Sequence, residues 1–469
     1  MIDPPGLTNE QSQRGRTALG PLVAAGLGAL GLVALVSLPQ PQQQGRLPRI
    51  TAAGDCDKQD VNGDTDIGGR GCIGGAALSN NITEGSACSV PGLPLTMQAI
   101  LAQGPSPLGV TRGIWNIYWT ENAPLPPCPY EDEIQVQVRG SSVNPADWYE
   151  AQTRGAAQAF DHDPGLGDDL SGVVVAVGRA CAAQGFRVGD EVWGVTASAT
   201  GDFRSREQNA YAQFANAFCN LMGKRSPAAP VSLEDLGTVG LAGGTSIGAL
   251  LDAGAPWSPE DNVTVAIASG SGGTGTFAIQ GALGLGAARV FAAASPAHFA
   301  MIRSLGATPV DYHTTSLWEA LPTSSVDLVW DNLGAAGTAQ AAARVLKRGG
   351  LYLTLAVGHF ATWQAAGTGI GTPALPADGV LVVDGKPIVA RSPSVREEAT
   401  DSVRIVAIMN RLIDAGLLRP VVGERYPLRR VAAALDASVN GHAAGKIAIH
   451  VPPVDGWSMQ DVLDGGEAR

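Results

Sequence analysis

Val263-Thr264-Val265-Ala266-Ile267-Ala268 runs straight into Ser269-Gly270-Ser271-Gly272-Gly273-Thr274-Gly275, so an apolar strand meets a glycine-rich turn with nothing between them. Apolar residues Phe277, Ile279, Leu283 and Leu285 then recur at roughly helical spacing, and residues 287–294 read as a second strand. The order is strand, glycine turn, helix, strand. A tight turn needs residues that tolerate positive φ, and a diphosphate needs close backbone N–H groups at a helix N-terminus. Gly270, Gly272, Gly273 and Gly275 meet both needs, with Thr274 as a hydroxyl donor. Glycine spacing alone is a weak signal; the flanking strands turn it into a dinucleotide site rather than a mere tight turn.

The end of the second strand decides which dinucleotide is expected. An acidic residue there would hold a ribose 2′-hydroxyl. This chain instead offers Ser295-Pro296-Ala297-His298, with Arg303 a little over one turn further. No carboxylate stands there to repel a 2′-phosphate, so Ser295 and His298 favour NADPH. A second reading makes Ser295 a helix N-cap and His298 an ordinary surface residue.

Downstream, residues 326–331 and 351–358 read as strands separated by a helix over 335–346, the alternation of a doubly wound parallel sheet spanning 233–385. Upstream, Glu133–Arg139 alternates as a half-buried strand, and short strands with Gly-Asp turns follow. They suggest a small curled β domain over 96–232, completed by a return over 386–455 whose last strand is residues 445–451. Residues 456–469 form a polar tail. Between strand and helix sits Asn144-Pro145-Ala146-Asp147, with Asn144 placed to cap and Pro145 at the first helical position. Polar groups at such a strand end often face a cleft.

The chain of 469 residues carries a formal net charge of −12 and no arginine–lysine run, which argues against a nucleic-acid partner. After a polar segment, 1–16, residues 17–38 are uncharged and long enough to cross a membrane. A single-pass anchor, a secretory signal and a removed organelle-targeting segment all fit, with a cytoplasmic location otherwise. Residues 39–95 read as a disordered linker in which Asp55 to Asp66 lack the glycine and glutamate placement of a helical calcium loop. The 6 cysteines show no metal spacing but permit disulfides, and Asn81-Ile82-Thr83 is a glycosylation acceptor if it meets an oxidising compartment.

From Met97 to Val451 the chain resembles the zinc-free, quinone-oxidoreductase-like branch of the medium-chain dehydrogenase/reductase superfamily. The likeness is carried by Asn144-Pro145-Ala146-Asp147, Asp169-Leu170-Ser171-Gly172-Val173-Val174, Phe186-Arg187-Val188-Gly189-Asp190-Glu191-Val192-Trp193-Gly194, the glycine turn with Phe277-Ala278-Ile279-Gln280, and His442-Ala443-Ala444-Gly445-Lys446-Ile447. The resemblance implies a GroES-like β domain plus a Rossmann domain, and NADPH in the cleft between them. It further implies reduction of quinones or of α,β-unsaturated carbonyls by an enoyl reductase-like chemistry, often as a homodimer. The cysteine and histidine ligands of the zinc-dependent relatives are not matched, so metal-polarised alcohol oxidation is disfavoured.

The branch's Leu-Thr-Ala stretch reads Gly244-Thr245-Ser246 here, carrying Thr245 over as a cofactor contact; Tyr312 follows as a neighbour of the adenosine end. Hydride transfer without a metal leaves charge growing on the acceptor oxygen, which needs a hydrogen-bond donor. Asn144 is the expected donor. Asp147, ionised at neutral pH, is expected to position groups rather than act as the acid. The alternative is a membrane-tethered NADPH-binding sensor or scaffold with little turnover.

Overall fold

The computed structural model describes residues 93–102, 115–153, 165–196, 210–335, 337–355, 380–383, 386–391, 399–441, 443–455 and 457. Strands β1 (Thr96–Ala102) and β2 (Ile117–Pro124) pair antiparallel on their own. The main body of the β domain is β3 (Glu133–Val143), β4 (Asp169–Val177), β5 (Glu191–Val195), β6 (Phe214–Phe218) and β7 (Met222–Lys224).

Strand β3 is buried on both faces, where its alternation predicts burial on one. Ile134, Val136 and Val138 fill the apolar core, while Gln135 and Gln137 of the opposite face are covered as well. Gln135 offsets the loss of water by donating to the Pro126 carbonyl at 3.2 Å and to Asn216 Oδ1 at 3.3 Å. Against β3 lies β4, so close at Gly172 that a Cβ there would stand 2.0 Å from the Gln137 carbonyl oxygen. Cys181 and Cys219, in the same domain, are joined by a disulfide.

The second sheet holds β8 (Thr264–Ile267), β9 (Arg289–Ala294), β10 (Thr308–Asp311), β11 (Val326–Asp331), β12 (Leu346–Thr354), β13 (Val380–Val383) and β14 (Lys386–Arg391), in the order β10-β9-β8-β11-β12-β14-β13. Strands β8 to β12 and β14 run parallel, but β13 pairs antiparallel with β14. The sheet is therefore mixed and Rossmann-like, which corrects the expectation of a wholly parallel one. Chain order reverses at β8, between β9 and β11, and that crevice at the carboxyl ends is where such sheets take ligands.

The two last strands, β15 (Val422–Pro427) and β16 (Lys446–His450), return to the first sheet, where β16 pairs antiparallel with β3 from Ile447 opposite Val143 to His450 opposite Gly140. Helix Gly240–Asp252 leads into the second sheet and lies against helix Gly273–Gly284. At Gly281 they come close enough that a Cβ would stand 2.6 Å from Ile247 Cδ1.

Among the described residues no helix is long and apolar enough to cross a membrane. This corrects the expectation of a transmembrane helix and of single-pass membrane association, and removes the support for a membrane-tethered sensor. The stretch 17–38 itself lies outside the described residues, as do the tract holding Cys56, Cys72 and Cys88 and the acceptor Asn81.

Candidate active site

The glycine turn forms because β8 ends against β9 with no room for side chains. A Cβ at Gly270 would stand 2.6 Å from that of Ala292, and one at Gly275 would stand 1.9 Å from the Ser269 carbonyl oxygen. Those two glycines are required by the fold. Gly272 is different: its φ of −78° suits any residue, and a Cβ there would meet only Ser269 Oγ, at 3.7 Å. Among the described residues nothing asks for glycine at 272, and the space next to it is clear. Gly272 is the N-cap of helix Gly273–Gly284, whose first intrahelical bond from the turn is Thr276 N–H to the Gly272 carbonyl at 3.0 Å. The preceding amides of Gly273, Thr274 and Gly275 belong to the helix end that has no intrahelical acceptor.

Asn332, directly after β11, ties the turn down. Its Oδ1 accepts from Ser269 N–H at 2.9 Å, while Nδ2 donates to the Ser269 carbonyl at 2.8 Å and to Thr274 Oγ1 at 3.0 Å. Thr274 thus receives one hydrogen bond and keeps its own O–H to give. Asp331 before it caps Leu333 and Gly334 N–H groups at 3.1 and 2.8 Å and accepts the Tyr352 hydroxyl at 2.5 Å. Burial, and then the Asp331 carboxylate, push the Tyr352 hydroxyl far above its ordinary range.

Ser295 and Tyr312 follow the carboxyl ends of β9 and β10, neighbouring parallel strands in which Ala294 stands opposite Asp311. Ser295 occupies an N-cap position but makes no side-chain cap bond, so its hydroxyl is not spent on the following turn. His298 is half-buried at the end of that turn. Tyr312 is 55% exposed, with its ring 4.3 Å from that of His313, and Arg303 lies over the Phe299 ring. Thr245 is buried in helix Gly240–Asp252, and its neighbour Ser246 links that helix to the turn, donating to the Thr274 carbonyl at 2.9 Å.

Asn144 and Asp147 sit together at the start of helix Pro145–Thr153, where Asp147 Oδ2 accepts from Asn144 N–H at 2.6 Å. Asp147 therefore closes the helix start from its third residue, half of a capping box. Asn144 is only 2% exposed, and its carboxamide is held from two sides. Its Nδ2 donates to Asp169 Oδ2 at 2.8 Å, and its Oδ1 accepts from Lys446 Nζ. Asp169 also accepts from Ser142 Oγ at 2.5 Å and from Leu241 N–H at 2.6 Å. Tyr211 donates to the Ser142 carbonyl at 3.2 Å, and burial followed by the Asp147 charge holds its hydroxyl well above the usual range.

The structure therefore gathers Asn144 and Asp147 in one buried cluster, and Gly270 to Gly275 with Thr274 in one turn. A backbone link joins the two: Gly445 N–H donates to the Ser271 carbonyl at 2.7 Å, and Lys446 follows it. Asp169, Lys446, Ser246 and Asn332 are the residues that sequence reasoning missed as site residues. Lys446 carried the clearest signal, a lone cation opening a strand whose next residues are Ile447, Ala448 and Ile449. Among the described residues no group of three or more His, Cys, Asp or Glu side chains is placed to hold a metal ion.

Two family models match the chain: an alcohol dehydrogenase GroES-like domain over residues 130–240 and a zinc-binding dehydrogenase over residues 305–449. A trans-enoyl reductase from Alternaria alternata, ACTTS2, is 33% identical over 50% of this chain and 68% of its own. The human mitochondrial NAD(P)H oxidoreductase RTN4IP1 is 28% identical over 71% of this chain and 85% of its own. Among solved structures, the Escherichia coli quinone oxidoreductase complexed with NADPH matches with a TM-score of 0.57 at 18% identity, over 76% of this chain and 99% of that one.

Proposed function

Since this chain belongs to the zinc-free, quinone-oxidoreductase-like branch of the medium-chain dehydrogenase/reductase superfamily, we propose that it is a reductase transferring hydride from NADPH to a quinone or an α,β-unsaturated carbonyl. The observation that carries this reading is the clear space at Gly272 beside a buried polar cluster, the two joined through Gly445 and Lys446. The residues present fit the cofactor. The Gly273, Thr274 and Gly275 amides and the Thr274 hydroxyl would hold its diphosphate, with Gly272 letting the backbone approach and Gly270 and Gly275 shaping the turn. Ser295, His298 and Tyr312 would meet the adenosine end, where the Ser295 hydroxyl, free of a cap bond, and the lack of a carboxylate in residues 295–298 suit a 2′-phosphate. Thr245 would line the path between them. NADPH, when bound, supplies the hydride.

The chain's own contribution is placement and charge stabilisation. Asn144 has one Nδ2 hydrogen with no partner among the described residues, and that hydrogen is the donor for charge growing on the acceptor oxygen. Asp147 keeps Asn144 in place by holding its backbone N–H. The last proton comes from solvent. An enoyl acceptor is supported by the trans-enoyl reductase relative, a quinone by the shared fold of the bacterial oxidoreductase.

Purified protein is expected to oxidise NADPH in the presence of 1,2-naphthoquinone or a 2-alkenal, read at 340 nm, and to ignore saturated aldehydes. Reduction of the saturated aldehyde alone would sink the conjugated-acceptor reading. The mitochondrial relative also supports delivery to an organelle by the N-terminal segment. A fluorescent fusion that co-purifies with organelles and is protected from added protease is the expected result; diffuse, protease-sensitive signal would count against it.

A further inference from the structure

Lys446 opens β16 with 3% exposure, and its ammonium reaches three oxygens: the Val143 carbonyl at 3.1 Å, Asp169 Oδ2 at 3.3 Å, and Asn144 Oδ1. An ammonium only donates and an ionised carboxylate only accepts. Asn144 therefore lies between an obligate donor on its oxygen and an obligate acceptor on its nitrogen. Turning the carboxamide over would set its N–H groups against the ammonium and its oxygen against the carboxylate, losing two charge-assisted bonds at once. Only one orientation satisfies both neighbours, and it leaves one Nδ2 hydrogen over. The same side chain lies along the dinucleotide turn, since a Cβ on Gly273 would stand 2.9 Å from Lys446 Cδ.

We infer that Lys446 is a positioning residue for hydride transfer, its ammonium fixing the Asn144 carboxamide with nitrogen rather than oxygen offered to the acceptor. This rests on the reading of Asn144 as the donor. The plainer role is that of a staple, a buried ion pair with Asp169 that only holds β16 to β4. The two roles part company when both charges are removed, because a buried pair replaced as a pair keeps the fold, whereas a single deletion strands the other charge.

The variants are K446M, K446Q, K446M/D169N and N144A, each read for unfolding temperature, NADPH affinity, acceptor KM and kcat. K446M alone is expected to lower the unfolding temperature, and K446M/D169N to restore it. In the double variant kcat stays at least tenfold down, as in N144A, while acceptor KM and NADPH affinity move less than threefold. K446Q keeps an N–H for the Asn144 oxygen and recovers part of the kcat lost in K446M. Wild-type kcat in the double variant beside a slow N144A, or equal kcat losses in K446Q and K446M, would overturn the inference. Wild-type kcat in N144A would instead remove the donor reading beneath it, whatever Lys446 does.

Discussion

At the scale of single residues, this site is built from buried polar groups that settle one another's state. Tyr352 shows it most simply. Its hydroxyl donates a hydrogen bond to Asp331, and burial with that charge keeps the phenol neutral in the folded chain to a higher pH than in the unfolded one. The stability this contributes is fully present below the ordinary tyrosine value of about 10 and is lost as pH rises above it. Y352F is therefore expected to be less stable at pH 8, by about 1.5–3 kcal/mol for a hydrogen bond to a charged group. The gap should narrow at pH 10.5, measured by denaturant unfolding at both values; a gap that stays constant would show that the phenol does not titrate with folding. Residue identity made Gly270 and Gly275 legible in the sequence, because no side chain fits at either place in the turn, and Gly272 legible through its spacing from them. It hid Asp169, which meets Lys446 across 277 residues of chain, a pairing that no local pattern records.

At the scale of elements, periodicity gave positions well and directions poorly. The strands that became β8, β9, β11 and β12 were legible as apolar runs bounded by turn residues. That β13 runs antiparallel to β14 was not, since a period of two is the same read from either end. A hint stood between them in Asp384-Gly385, a pair favoured in two-residue hairpins, which the parallel alternation around it outweighed. Strand β3 shows the converse: its Gln135 and Gln137 read as a solvated face, yet both are buried, Gln135 hydrogen-bonding to the Pro126 carbonyl. Burial of polar side chains depends on which partners arrive from elsewhere in the fold. Ser246 is a further case. Nothing in the local pattern marks it, yet its hydroxyl reaches the Thr274 carbonyl and ties the helix before β8 to the dinucleotide turn.

At the scale of the whole molecule, the chain leaves the β domain, builds the Rossmann-like sheet, and comes back through β16 to lie on β3. That return is what places Gly445 against Ser271 and Lys446 against Asn144, so the closing strand belongs to the site as much as the glycine turn does. The central claim is that this assembled cleft binds NADPH at the glycine turn. Titration calorimetry on the wild-type protein and on G272V tests it most directly, because a side chain at Gly272 enters space that the described residues leave clear. The account predicts saturable single-site binding by the wild type, and its loss in G272V at an unchanged unfolding temperature. Absence of saturable binding in the wild type, or equal affinity in G272V, would contradict it.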